Sequence, residues 1–237
     1  MTSHWLLVTL LVAAGSTVQA THHPEIYLLD QQCSQLIDVH LDVRIQMSPD
    51  AILPANSYCS LSLRPASGTA LIAIFRSFDL DPKYRNTTDS CQVESLQLMW
   101  PGGNYFEDRG YCGSGPPQGQ YLLGNLGTVG YTTWNFSDIA ALQFDLLVTE
   151  IFYKSSTCPN QTFDCRRQNL CVDRQLTCNG LNDCGNNLDE VDGCQHTAAI
   201  VTGAVIGAVG ILLIIACFLL LLRRRGRLSG VSYIRYP

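Results

Sequence analysis

Basic residues are scarce over most of this chain. Before residue 223, ten Lys and Arg stand against twenty Asp and Glu, a local charge of −10. A surface of that sign excludes nucleic-acid binding, which needs a basic face to neutralise phosphates. Histidine is sparse as well: His4, His22, His23, His40 and His196 are the only five. None of them falls in an H-E-x-x-H arrangement, and G-x-S-x-G and phosphate-cradling glycine loops are also missing. Gly113-Ser114-Gly115 reads as a turn rather than a nucleophile elbow. With no catalytic constellation, the chain is expected not to be an enzyme. Acidic residues stop at Asp192, while five of the fifteen Lys and Arg lie after residue 222.

Cysteine and apolar residues, by contrast, are plentiful. Eleven cysteines in 237 residues would be a liability in a reducing cytosol and imply an oxidising compartment. The apolar residues concentrate in two blocks. The first, Trp5 to Ala14, is too short to span a bilayer, which takes roughly 20 residues. It is followed by Val18-Gln19-Ala20, small residues at the positions a signal peptidase reads, so residues 1–20 are expected to be a removed signal peptide. The second block, Ala198 to Leu222, is 25 residues without a charge. At about 1.5 Å per residue it reaches roughly 37 Å, enough to cross a ~30 Å hydrocarbon core with some tilt. Arg223, Arg224, Arg225 and Arg227 follow at once, which marks the cytoplasmic side. The expected topology is a single-pass type I membrane protein with its N-terminus outside. Residues 195–197 form a short stalk and 223–237 a cytoplasmic tail too short to fold, carrying Tyr233 and Tyr236. Gly203 and Gly207, preceded by Ala199, make a small-residue row through which two copies could associate as a homodimer.

Setting aside Cys217 within the apolar block leaves ten cysteines, an even number that implies a disulfide framework. Cys33, Cys59, Cys91 and Cys112 are spread thinly, whereas Cys158, Cys165, Cys171, Cys178, Cys184 and Cys194 crowd together. The change in density marks a boundary, with residues 155–157 as a polar linker between a region at 33–154 and a region at 158–194; residues 21–32 precede the first. In the first region, Ile37, Val39, Leu41, Val43, Ile45 and Met47 alternate with Asp38, His40, Asp42, Arg44 and Gln46, the period of a strand with one buried face. Further strand-like runs occupy 58–63, 71–80, 96–98, 129–133 and 141–153, punctuated by Pro and Gly. No helical period of useful length competes. Many short strands with such turns point to an all-β sandwich.

Phe75-x-x-Phe78-x-Leu80-Asp81, Cys91-x-x-Glu94, Tyr111-Cys112-Gly113 and Ser137-Asp138 follow in the order and spacing of the CUB signature, and the region at 33–154 resembles that family. The resemblance implies a jelly-roll-like sandwich with bridges Cys33–Cys59 and Cys91–Cys112. It also implies a Ca²⁺ site at Asp81, Glu94 and Asp138, where the first two acids are exchanged in length relative to the family's usual Glu and Asp.

The cysteine ladder C-x6-C-x5-C-x6-C-x5-C-x9-C from Cys158 to Cys194, with Phe163 before its second cysteine and Asp189-Glu190 before its last, resembles the LDL-receptor class A repeat. A module under about 40 residues needs disulfides or metal to fold. The resemblance implies the pairs Cys158–Cys171, Cys165–Cys184 and Cys178–Cys194. It further implies a calcium cage of the Asn179, Asp183, Asp189 and Glu190 side chains with the carbonyls of Leu176 and Leu181. Ligand-binding repeats of that family hold a lysine stem on an aromatic ring ahead of the fourth cysteine. This chain has Leu176 there, so it is expected to be poorly suited to lysine capture and to lipoprotein docking.

Asn86, Asn135 and Asn160 head Asn-x-Ser/Thr sequons and are expected to be glycosylated. The order of modules, span and tail resembles neuropilin-and-tolloid-like auxiliary subunits and co-receptors, although those carry two CUB domains. That resemblance implies a non-enzymatic receptor that binds extracellular or neighbouring membrane proteins. An endocytic or scavenging receptor, and a structural adhesion protein, are the other two readings the sequence leaves open.

Overall fold

The computed structural model describes residues 22–79, 91, 93–106, 109–112, 115–134, 139–140, 143–166, 169–192, 194 and 207–222. The chain falls into two compact units, Met1–Glu190 and Val191–Pro237. In chain order the strands of the first unit are β1 (Glu25–Leu28), β2 (Leu36–Asp38), β3 (Asp42–Gln46), β4 (Ile52–Leu53), β5 (Tyr58–Arg64), β6 (Ala70–Asp79) and β7 (Glu94–Trp100). They continue with β8 (Gly103–Asn104), β9 (Tyr121–Gly124), β10 (Gly127–Thr133), β11 (Ile139–Ala140), β12 (Gln143–Tyr153), β13 (Thr162–Asp164) and β14 (Leu170–Asp173).

Two sheets face each other. One runs β2-β5-β10-β7-β8; the other is built on β12, which pairs with β3 along one edge and with β6 along the other. β1 joins the far side of β3 in parallel, and β9 joins β6. Alternate residues of these strands fill the space between the sheets: Ile45 from β3, Leu61 and Leu63 from β5, Leu96 and Leu98 from β7, and Leu146 and Val148 from β12 are all buried there. An aromatic cluster of Phe75, Phe106, Tyr111 and Tyr121 closes one end, with ring centroids 5.2 to 6.3 Å apart among its contacting pairs. Such tilted and edge-on pairs add about 0.5–1.5 kcal/mol each beyond the area they bury.

The alternating run from Ile37 to Met47 is two strands rather than one. β2 pairs in parallel with β5 in one sheet, and β3 pairs with β1 and β12 in the other. The chain crosses between sheets at Leu41, whose backbone sits at φ 71°. A leucine in the left-handed region carries a steric cost, met here by a backbone bond from the Glu150 N–H to the Leu41 carbonyl at 2.7 Å. Val39 and Val43 on either side of the crossing point into the interior the two sheets share, whereas Leu41 packs against the outer face and Asp42 is buried there.

β6 is apolar on both faces, and β12 adds Ile151 to its outer face. Leu71, Ala73 and Phe75 point into the sandwich core, while Ala70, Ile72 and Ile74 belong to a second cluster on the opposite face. That second cluster is completed by Ile151 of β12 and by Cys165, Leu170, Val172, Leu176 and Cys184. The cysteine-rich region therefore lies against the outer face of the sandwich. The contact includes backbone pairing: β14 adds to β12 at Ile151↔Val172, Phe152↔Cys171 and Tyr153↔Leu170, just beyond the point where β3 ends, and β13 completes the hairpin. One hydrogen-bonded sheet thus crosses the change in cysteine density near residue 155.

In the second unit, residues 207–222 form a helix whose leucine, isoleucine and phenylalanine side chains are exposed. It covers part of the apolar block at 198–222. Among the described residues no helix is long and apolar enough to cross a membrane. Residues 1–20, Gly203 and the tail at 223–237 lie outside the described residues.

Candidate functional site

Among the described residues, the seam between the sandwich and the cysteine-rich hairpin gathers the buried polar residues Asp42, Thr149, Asp183 and Asp189. Four bridges are Cys33–Cys59, Cys91–Cys112, Cys158–Cys171 and Cys165–Cys184, and Cys178 and Cys194 are also disulfide-bonded. The bridge between Cys165 and Cys184 ties the hairpin to the loop that follows it, and both cysteines are buried in the seam cluster. With that loop fixed, the segment from Asn179 to Glu190 folds back on itself.

Its side chains are held by a dense set of short bonds. The Asn179 side-chain oxygen accepts from the Leu181 N–H at 2.8 Å, and its amide nitrogen donates to Asp183 Oδ2 at 3.0 Å. Asp189 Oδ2 accepts from the Asp183 N–H at 2.7 Å. Glu190 accepts from the Asn179 N–H at 2.9 Å and from the Gly180 N–H at 2.7 Å. Asp183 and Asp189 are both 0% exposed. Burial, with the Asp42 charge beside it, pushes the Asp183 carboxyl up to about 7, and burial likewise raises Asp189. Two carboxylates removed from water in this way favour any positive partner that can reach them.

Of the six positions assigned to the cage, Asn179, Asp183, Asp189 and Glu190 are brought together by these bonds. Leu181 is buried beside them and Leu176 is fully buried in the seam cluster. Among the described residues, no three His, Cys, Asp or Glu side chains converge closely enough to hold a metal ion. Glu190 and Asp189 instead turn their oxygens to backbone N–H groups of the same loop, as carboxylates do when such donors are at hand. The donor chemistry nevertheless fits a hard divalent cation: buried carboxylate oxygens, an amide oxygen, and no sulfur or imidazole. Of the second trio, Glu94 is buried at the start of β7, and Asp81 and Asp138 lie outside the described residues. Asn160 stands exposed in the turn before β13; Asn86 and Asn135 lie outside the described residues.

The sandwich supplies groups to the same site that sequence patterns did not single out. Thr149 of β12 donates its hydroxyl to Asp183 Oδ1 at 2.7 Å, with both side chains buried. Directly opposite Thr149 on β3 is Asp42, which is buried and accepts from His22. Burial raises the Asp42 carboxyl, and the His22 contact opposes that rise. Gln120 donates to the Cys184 carbonyl. Gly185 follows with φ 70°, and a Cβ there would collide with the Gln120 amide. Lys154 pairs with Asp164, whose carboxyl it holds below the usual range together with the Arg166 backbone N–H. A signal for this seam was present in the sequence: Ala70-Leu71-Ile72-Ala73-Ile74-Phe75 does not alternate, and a strand that is apolar on both faces must be covered on both.

Residues 156–194 match the low-density lipoprotein receptor domain class A family, so the cysteine-rich region is a class A repeat. No curated protein sequence matches the chain. Among solved structures, the chain is similar to the CUB1-EGF-CUB2 domain of human MASP-1/3, with 12% identity, a TM-score of 0.39, and 50% of this chain and 42% of that one covered. It is also similar to the MASP-1 CUB2 domain bound to Ca²⁺, at 13% identity and TM-score 0.39, over 49% of this chain and 98% of that one. A third is the full extracellular region of zebrafish Gpr126/Adgrg6, at 15% identity and TM-score 0.36, over 53% of this chain and 17% of that one. The chain spans less than half the length of the first of these.

Proposed function

We propose that this chain is a non-enzymatic, single-pass type I cell-surface glycoprotein. Its CUB-like sandwich and class A repeat together bind extracellular or neighbouring membrane proteins, as a co-receptor or receptor auxiliary subunit does. The observation that carries this reading is the shared sheet, in which β14 of the class A repeat is hydrogen-bonded to β12 of the sandwich. A repeat docked in this way is a fixed part of one larger surface. Leu176, at the position where ligand-binding repeats place their lysine-gripping ring, is 0% exposed under the sandwich. That burial speaks against independent lysine capture and for a composite recognition surface.

The apolar, outward-facing side chains of helix 207–222 and the arginines that follow support a single span. Gly207 has open space around it, which suits close approach of a second helix at the Gly203/Gly207 row. Calcium belongs to the same reading. Asn179, Asp183, Asp189 and Glu190 side chains, with the Leu176 and Leu181 carbonyls, would hold it. The bound ion would supply the positive charge that the buried carboxylates lack.

Proximity labelling from a peroxidase fused to the outer N-terminus on intact cells tests the binding role. The expected result is a small set of surface or secreted proteins enriched over a control with the same span and no modules. A labelled set equal to the control, or failure of an antibody to the outer region to stain unpermeabilised cells, would overturn it.

A further inference from the structure

Thr149 and Asp42 have no evident task in the sandwich itself. Both are buried on the outer face of their sheet, directly opposite one another on β12 and β3. A hydroxyl and a carboxylate in such a place would be costly without a polar counterpart. The counterpart of the hydroxyl is the class A loop. Asp183 is gripped from two sides: Oδ1 takes the Thr149 hydroxyl at 2.7 Å, and Oδ2 takes the Asn179 amide at 3.0 Å. One bond comes from each module, and each oxygen keeps a lone pair for a further partner. Behind Thr149, Asp42 uses one oxygen for His22, while its buried Oδ2 has no hydrogen-bond partner among the described residues.

We infer that the β3–β12 strand pair is the second wall of the class A cation site. Thr149 is a positioning residue that aims the Asp183 carboxylate, and Asp42 is an outer carboxylate that adds negative charge behind it. The inference rests on the calcium reading above. Its physical content is that groups behind a ligand set the ligand's orientation and basicity, and their loss typically lowers metal affinity 10- to 100-fold. A divalent ion held by Asp183 would favour a further negative charge behind the Thr149 hydroxyl, and Asp42 stands opposite Thr149 on β3.

The two residues should differ in signature. Thr149→Val keeps the shape of the side chain and removes only the hydroxyl, so Asp183 loses its aim. Thr149→Ser retains the hydroxyl. Asp42→Asn keeps the shape and removes the charge, which weakens calcium binding while leaving the calcium-free protein at least as stable as wild type.

Calorimetric titration of the full chain in detergent with CaCl₂, alongside thermal melting with and without chelator, reads these effects. We expect the calcium Kd to rise about tenfold or more in Thr149→Val, with Thr149→Ser restoring it to within about threefold of wild type. Asp42→Asn should raise Kd with no fall in the chelated melting temperature. A purely structural role would instead lower melting equally with and without calcium and leave Kd unchanged, which would overturn the inference while wild-type binding kept the calcium reading intact. Should Thr149→Val fail to fold, an Asp42→Asn protein with wild-type Kd overturns the inference just as well. Absence of both calcium heat and a calcium-dependent melting shift in wild type would defeat the calcium reading, and the inference with it.

Discussion

Substituting Leu176 by alanine should destabilise a part of the protein that Leu176 does not belong to in sequence. The side chain is 0% exposed and lies with Ala70, Ile72 and Ile151 of the sandwich and Leu170 and Val172 of the repeat. Leu→Ala at a buried site costs about 2–5 kcal/mol, depending on how far the surroundings collapse. Strands β6 and β12, paired along their length, wall one side of this cluster and resist collapse, whereas the loop on the other side can settle inward, so we expect a loss of about 3 kcal/mol. If sandwich and repeat unfold together, that loss is felt by both. For a cooperative unit of this size it corresponds to roughly 6–12 °C in Tm. The assay is tryptophan fluorescence during thermal or denaturant unfolding, in chelator so that calcium does not contribute. Trp100 and Trp134 both lie in the sandwich, and the third tryptophan, Trp5, is in the N-terminal apolar block. The reporter is therefore blind to the repeat unless the two are coupled. A tryptophan transition that stays at the wild-type midpoint, while the repeat loses its structure by NMR or proteolysis, would refute the shared-unit reasoning and leave two merely adjacent modules.

Two smaller predictions follow from the same face of the molecule. Asp164, held by Lys154 and the Arg166 N–H, should titrate below the ordinary aspartate range by carbon-13 NMR, and Lys154→Met should bring its midpoint back up. The native pKa is the depressed one, so the stability it contributes is present above the unfolded value of about 3.9 and is lost as pH falls through the native value. With this ion pair partly exposed, solvent screening keeps the effect small. Asn160, exposed in the turn before β13, should carry a glycan: peptide-N-glycosidase treatment should increase the mobility of the wild type by one glycan more than that of Asn160→Gln, and equal shifts would refute it.

How much of this was legible before the structure depends on the range of the interaction. Strands β5, β6, β7, β10 and β12 could be read along the chain, because a strand between a core and solvent, or between two cores, leaves its burial pattern on neighbouring residues. The class A repeat could be read because a covalent framework in so short a segment leaves a ladder of cysteines. The break at Leu41 could not, since a leucine in the left-handed region has no compositional mark. β1 could not either: its parallel partner β3 begins some fifteen residues later, and nothing local distinguishes that edge from open chain.

The amino-acid sequence alone determined the two apolar blocks, the charge they leave between them, the cysteine framework and the strand periodicities, because each is a property of residues near one another along the chain. Only the tertiary structure decided that Leu176 is roofed by the sandwich, that β14 extends β12, and that Thr149 and Asp42 stand behind Asp183. Thr149 and Asp183 are 34 residues apart, and Asp42 is farther still. A polar residue on an outer strand face has the same pattern whether it meets water or another module. Which of the two it meets is set by how the hairpin docks, and that is a matter of packing in three dimensions.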